Sequence, residues 1–103
     1  MVDLSCILLD CGERDIDVLT DIDEDILEEA VKELKDEGIP LNFPNLYYEC
    51  AQIALEKCGL TVDDAEIDCN YICAAIYLRG HEDKAEELQE LGFTVYYLSL
   101  IHI

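Results

Sequence analysis

Basic side chains are scarce in this sequence. Six Lys and Arg stand against 25 Asp and Glu, a formal net charge of -19 over 103 residues. Nucleic-acid phosphates attract Lys and Arg, so this balance argues against direct binding to DNA or RNA. The same excess repels itself in the compact state while keeping the chain in solution. A polyanion of this kind calls for a basic partner or a metal ion.

Other absences narrow the field further. No glycine-rich loop able to cradle a phosphate is present, and no basic patch. No Cys-x-x-Cys occurs. The six cysteines pair in spacing only as Cys6/Cys11, Cys50/Cys58 and Cys69/Cys73, with His81 and His102 as isolated imidazoles, so a zinc site is not expected. Cys50 and Cys58 lie two helical turns apart, too far to share a tetrahedral ion by themselves. Nucleophilic catalysis needs a thiolate or hydroxyl beside a base held by a third group. His81 stands at a turn among acids and reads as a solvated residue at a helix start. No enzyme, cofactor or metal is therefore expected.

Long apolar runs are also missing. No stretch approaches the roughly 18 residues of a membrane span, and "MVDLSCILLDCGERD" reads as no secretory leader. The expected compartment is the cytoplasm, where the cysteines stay reduced and behave as small hydrophobes.

What is present is half apolar, enough for a single core. Val2 to Leu9 reads as a strand, "CGER" as a turn, and Ile16 to Ile22 as a short second strand with alternating Asp. Ile26, Leu27, Ala30, Val31 and Leu34 recur at helical spacing, and Gly38 stands where a helix would end. Asp21, Asp23, Glu24 and Asp25 crowd the start of that helix, where the macrodipole favours negative charge. The same run offers the first, third and fifth positions of a calcium loop. Ile26 then replaces the required Gly and Lys32 the required Glu, so calcium is set aside.

"IPLNFPN" reads as a linker. Asn45 is the expected cap of a second helix, Leu46 to Lys57, apolar on two sides and closed by Gly59. "AEIDCNYICAAIYLRG" leaves two readings open. Ala65, Cys69, Ile72, Cys73 and Ile76 fit an amphipathic helix with Thr61 and Asp64 as a capping box, whereas Tyr71, Ile72, Ile76 and Tyr77 favour a strand. "HEDKAEELQELGF" reads as a short helix returning to a strand at Phe93, as in a β-α-β connection. The strand reading gives an α+β fold: a small, mostly antiparallel sheet covered by two or three helices in the order β(β)ααβαβ.

Residues 1–97 are expected to form one acidic domain. Leu98 to Ile103, "LSLIHI", resembles the translation of a transposon end used in preparing sequencing libraries. It is expected to be a non-native extension that continues the last strand.

The placement of the acids carries the functional expectation. Glu24/Glu28, Asp25/Glu29, Glu29/Glu33 and Glu33/Glu37 on the first helix are like-charged i,i+4 pairs, as are Glu82/Glu86, Glu86/Glu90 and Asp83/Glu87 on the later one. Such neighbours lie about 5–6 Å apart at Cβ and are mildly destabilising. That spacing is close to the roughly 6–7 Å between successive phosphates of a strand with a rise of about 3.4 Å per base. Rows of carboxylates on a rigid helix can thus occupy a groove built for nucleic acid, and steering would speed the encounter. The expected contact face is Asp25, Glu28, Glu29, Glu33, Asp36 and Glu37, with Glu82, Asp83, Glu86, Glu87 and Glu90 as a second contact. Tyr47, Tyr48 or Tyr71 would serve as aromatic anchors if exposed.

In size, charge and acidic helices the chain resembles, as a class, the small acidic DNA-mimic proteins of phages and mobile elements, including anti-restriction and anti-CRISPR proteins. The resemblance implies a non-enzymatic inhibitor whose partner is a basic nucleic-acid-binding nuclease or effector complex. It implies neither direct nucleic-acid binding nor a membrane partner. The rival expectation is an antitoxin- or adaptor-like module that binds through an apolar groove, its acidity serving only solubility.

Overall fold

The computed structural model of the chain describes residues 19–69 and 74–97. The strand expected at Val2 to Leu9, the tail Leu98 to Ile103, Tyr71, and the start of the expected second strand lie outside them. Residues 19–21 are helical, not extended. Leu19 and Ile22 both point into the core, at 0% and 4% exposure, and the Ile22 N–H donates to the Leu19 carbonyl at 3.2 Å. Apolar residues three apart share one face of a helical turn but opposite faces of a strand. Core burial therefore overrides the alternation with Asp.

Helix α1 runs Glu24–Glu37. Asp23 caps it, its Oδ1 accepting from the Asp25 and Ile26 amides at 3.0 and 3.3 Å, which accounts for one acid of the run that resembled a calcium loop. Ile26, Leu27, Ala30 and Leu34 form its buried stripe. Gly38 ends it at φ 72°. The Gly38 and Ile39 amides donate to the Lys35 and Leu34 carbonyls at 3.2 and 2.9 Å, the paired closure of a Schellman motif.

Helix α2 runs Phe43–Lys57, three residues earlier than the sequence suggests, and Asn42 is its cap. The Asn42 side chain accepts from the Asn45 amide at 3.0 Å. Asn45 instead donates its side-chain amide to the Pro40 carbonyl at 3.0 Å. Pro44 sits inside the first turn, where a missing N–H breaks no helical hydrogen bond, so it starts the helix rather than delaying it. Eight residues of α2 are buried: Phe43, Leu46, Tyr47, Cys50, Ala51, Ile53, Ala54 and Leu55. The short linker folds α2 back along α1 as a helical hairpin.

Thr61 and Asp64 do form a capping box, over a single 3-10 turn, Val62–Asp64. The chain then extends. The ambiguous stretch resolves into two strands where one was expected: β1 (Ala65–Cys69) and β2 (Ala74–Leu78), antiparallel with Ile67 opposite Ile76. A 3-10 turn, Glu82–Lys84, and helix α3, Ala85–Glu90, lead to β3, Val95–Tyr97. β3 lies parallel to β2 with Val95 opposite Ile76, the β-α-β crossover read from the sequence. The order of described elements is thus ααββαβ, and the three-stranded sheet β1-β2-β3 is mixed and mostly antiparallel.

The helices bury one face of this sheet. Ile76, Leu78 and Val95 join Leu46, Leu55, Leu88 and Phe93 in one cluster. Tyr47 lies at its centre, 1% exposed, with ring centroids 5.8 Å from both Phe43 and Phe93. The α3 end locks onto the α1 start: the Asp23 amide donates to the Leu91 carbonyl at 2.9 Å. Gly92, at φ 99°, packs so closely that a Cβ there would overlap the Asp21 carbonyl oxygen.

Candidate anionic interface

Four acids of α1 form one row. Asp25, Glu29, Glu33 and Glu37 are all exposed and follow one another at i,i+4, so they stack along the helix over about 18 Å at a rise of about 1.5 Å per residue. Because four residues slightly overshoot one 3.6-residue turn, the row drifts round the helix as it climbs. Among the described residues that drift brings it against α2: a narrow cleft is lined by Glu29 and Glu33 from α1 and by Ile53, Glu56 and Lys57 from α2.

Glu49 is the centre of this meeting. It is partly buried on α2, hydrogen-bonded to Glu33 and within the field of Glu33, Glu37 and Glu56. Burial, seconded by these three neighbours, pushes its carboxyl up to about 7. Burial and nearby like charge both disfavour the ionised form of the Glu49 carboxyl. The row and the α2 acids therefore make one anionic surface across the hairpin, with Lys57 at one end of the cleft.

The remaining α1 acids stand differently. Glu28 and Asp36 share a shallow recess with Lys32 and Lys35, which Glu29 and Val31 also border. Lys32 is i,i+4 to both, an arrangement that attracts rather than repels. These two belong to a mixed-charge face.

The second expected contact is divided as well. Glu82 and Asp83 sit in the 3-10 turn, and Glu86, Glu87 and Glu90 in α3; all five are exposed. Glu87 is engaged by local partners, with Lys84 Nζ 3.6 Å from its Oε2. It also hydrogen-bonds the Cys58 thiol at the end of α2, whose pKa is raised by burial first and by Glu87 next. α1 and α3 meet end to end through Asp23 and Leu91, so their acids extend the surface in two segments rather than one ridge.

Sequence reasoning missed Glu49 and Glu56. Both lie on the α2 side that faces α1, a placement visible only once the hairpin is closed. Of the proposed aromatic anchors, Tyr47 is core, and Tyr48 is 42% exposed. The sequence could not separate these neighbours, because α2 is apolar on two sides.

Burial pushes the Cys50 thiol up to about 12, which leaves it protonated and unreactive near neutrality. Thr61 donates to Asp64 Oδ2 from its amide at 2.9 Å, and His81 Nε2 lies 3.3 Å from Oδ1. The Thr61 amide first, with His81, holds that carboxyl below its usual range. Among the described residues no group of three His, Cys, Asp or Glu is placed to hold a metal ion. Among them, too, no helix is long and apolar enough to cross a membrane. Comparisons with protein-family models, curated proteins and solved structures found no match to this chain.

Proposed function

We propose that the protein is a non-enzymatic inhibitor that mimics nucleic acid, occupying the basic nucleic-acid channel of a defence nuclease such as a CRISPR effector or a restriction enzyme in a bacterial cytoplasm. The observation that carries this reading is the row Asp25, Glu29, Glu33, Glu37, joined across the hairpin by Glu49 and Glu56. Successive members of the row share one sign, and burial together with the carboxylates of Glu33, Glu37 and Glu56 raises the Glu49 carboxyl to about 7. Selection for stability alone would place lysines at such positions. A cationic channel would reverse the sign of the interaction and favour the ionised form.

The α1 row is the primary contact in this reading, with Glu82, Asp83, Glu86 and Glu90 as flanking charge. Glu28 and Asp36 are secondary because Lys32 and Lys35 offset them. The test is inhibition of a panel of purified CRISPR effectors and restriction nucleases, with duplex DNA as competitor, by the protein and by its Glu29→Lys/Glu33→Lys/Glu37→Lys variant. Mimicry requires inhibition by the parent, relief by excess DNA, and loss of inhibition in the variant. Inhibition that survives the triple reversal would refute it.

A further inference from the structure

The face of the sheet turned away from the helices carries its own chemistry. Register sets Glu66, Tyr77 and Tyr96 side by side across the three strands, and side chains at paired positions share a face. The Tyr77 and Tyr96 rings stack, centroids 5.4 Å apart and 26° between planes. Tyr96 is 49% exposed. A recess of about 440 Å³ beside them is lined by Glu66, Ile67, Asp68 and Tyr77. The same face is closed at the Ala75 end, where that residue has no exposed surface.

Aromatics stacked on an open sheet face, here Tyr96 exposed and Tyr77 half-buried, can bind bases or cations. Base stacking on such platforms accompanies basic grooves that track the phosphates. Here Glu66 and Asp68 line the recess instead, in a chain of net charge -19. Phosphates would be repelled and a cation attracted. Among cationic side chains a guanidinium fits best, because its plane stacks on an aromatic ring while its fork meets a carboxylate. Arg79, at the end of β2, already makes the carboxylate part of that contact loosely, its Nη2 3.9 Å from Glu66 Oε2 with both side chains more than half exposed.

We propose that Tyr77, Tyr96 and Glu66 form a guanidinium-binding platform that takes an arginine side chain from a basic partner protein. The site stands apart from the α1 row and does not depend on the inhibitor reading. The test follows the tyrosine ring NMR signals of the full chain during titration with N-acetyl-arginine amide, N-acetyl-lysine amide, the neutral N-acetyl-citrulline amide and a thymidine oligonucleotide. Salt of about 150 mM shortens the Debye length to about 8 Å, which suppresses diffuse attraction.

The arginine derivative should shift the Tyr77 and Tyr96 signals saturably, the lysine derivative less, and the other two not at all. Tyr96→Leu should weaken binding about two- to fivefold, as expected for loss of an exposed cation–π contact. Glu66→Gln, at an exposed position that leaves packing intact, should also weaken it. The Glu29→Lys/Glu33→Lys/Glu37→Lys variant should bind as the parent does. Equal shifts with citrulline, a preference for the oligonucleotide, unmoved ring signals, or loss of binding in the α1 variant would each overturn the proposal.

Discussion

The carboxyl groups of Glu33 and Glu49 hydrogen-bond to each other across the α1–α2 hairpin, with Glu37 and Glu56 close enough to add their charge. Two acids side by side at the seam of a helix pair make the fold itself sensitive to protons.

Stability should therefore fall as pH rises through the acidic range. The Glu49 carboxyl titrates near 4.5 in the unfolded chain and about 7 in the fold, so between those values the native state binds more protons and loses stability with rising pH. The loss is complete above about 7. After allowance for solvent screening it amounts to about 1–2 kcal/mol. Asp64 acts in the opposite sense: its carboxyl is held low, so its contribution is present above about 3.8 and disappears on further acidification. Thermal melts should give the highest Tm between about pH 4 and 6. Glu49→Gln should flatten the decline toward pH 8 and raise stability there, and an unchanged pH profile would contradict the raised Glu49 carboxyl.

Binding to a basic partner should be salt-sensitive. If the α1 row makes the contact, raising salt from about 50 to 300 mM should weaken association by roughly an order of magnitude, as measured by calorimetry or surface binding. An apolar groove would leave affinity nearly constant over the same range.

Gly92→Ala should be severely destabilising. The position has φ 99° and faces the Asp21 carbonyl, so an added methyl meets both backbone strain and a rigid neighbour. A loss of about 2–4 kcal/mol is expected in urea unfolding. Gly38→Ala, at φ 72° with open space around the site, should lose only about 1 kcal/mol.

The α2 cap can be located by mutation. Asn42→Ala removes the side chain that accepts from the Asn45 amide and should lower stability by about 1 kcal/mol. Asn45→Ala removes only an exposed hydrogen bond to Pro40 and should lose less. Equal losses would return the helix start to Leu46.

The local grammar of the chain was readable in advance where one signal dominated. The stripe from Ile26 to Leu34 and the Gly38 stop gave α1, because periodicity and a C-terminal glycine agree there. The Thr61–Asp64 capping box was read correctly as chemistry but assigned to the wrong element, since the same reciprocal hydrogen bonds close a single turn as well as a helix. Asn45 reads as the cap of the second helix because each proline of the linker disfavours helix in the residue before it, Pro44 included. In a first turn it breaks nothing.

Residue order by itself determined the acidity of the protein, the like-charged rows and the α1 stripe, because charge and helical period are properties of neighbours in sequence; the two strands at Ala65–Cys69 and Ala74–Leu78 were decided by the sheet they complete. Tertiary structure decided which acids meet. Glu49 faces Glu33 because a short linker folds α2 back on α1. Tyr77 and Tyr96 stack because β3 returns parallel to β2 in one register. Each of these depends on burial of a shared core, a free energy that belongs to the assembled chain and to no segment of it.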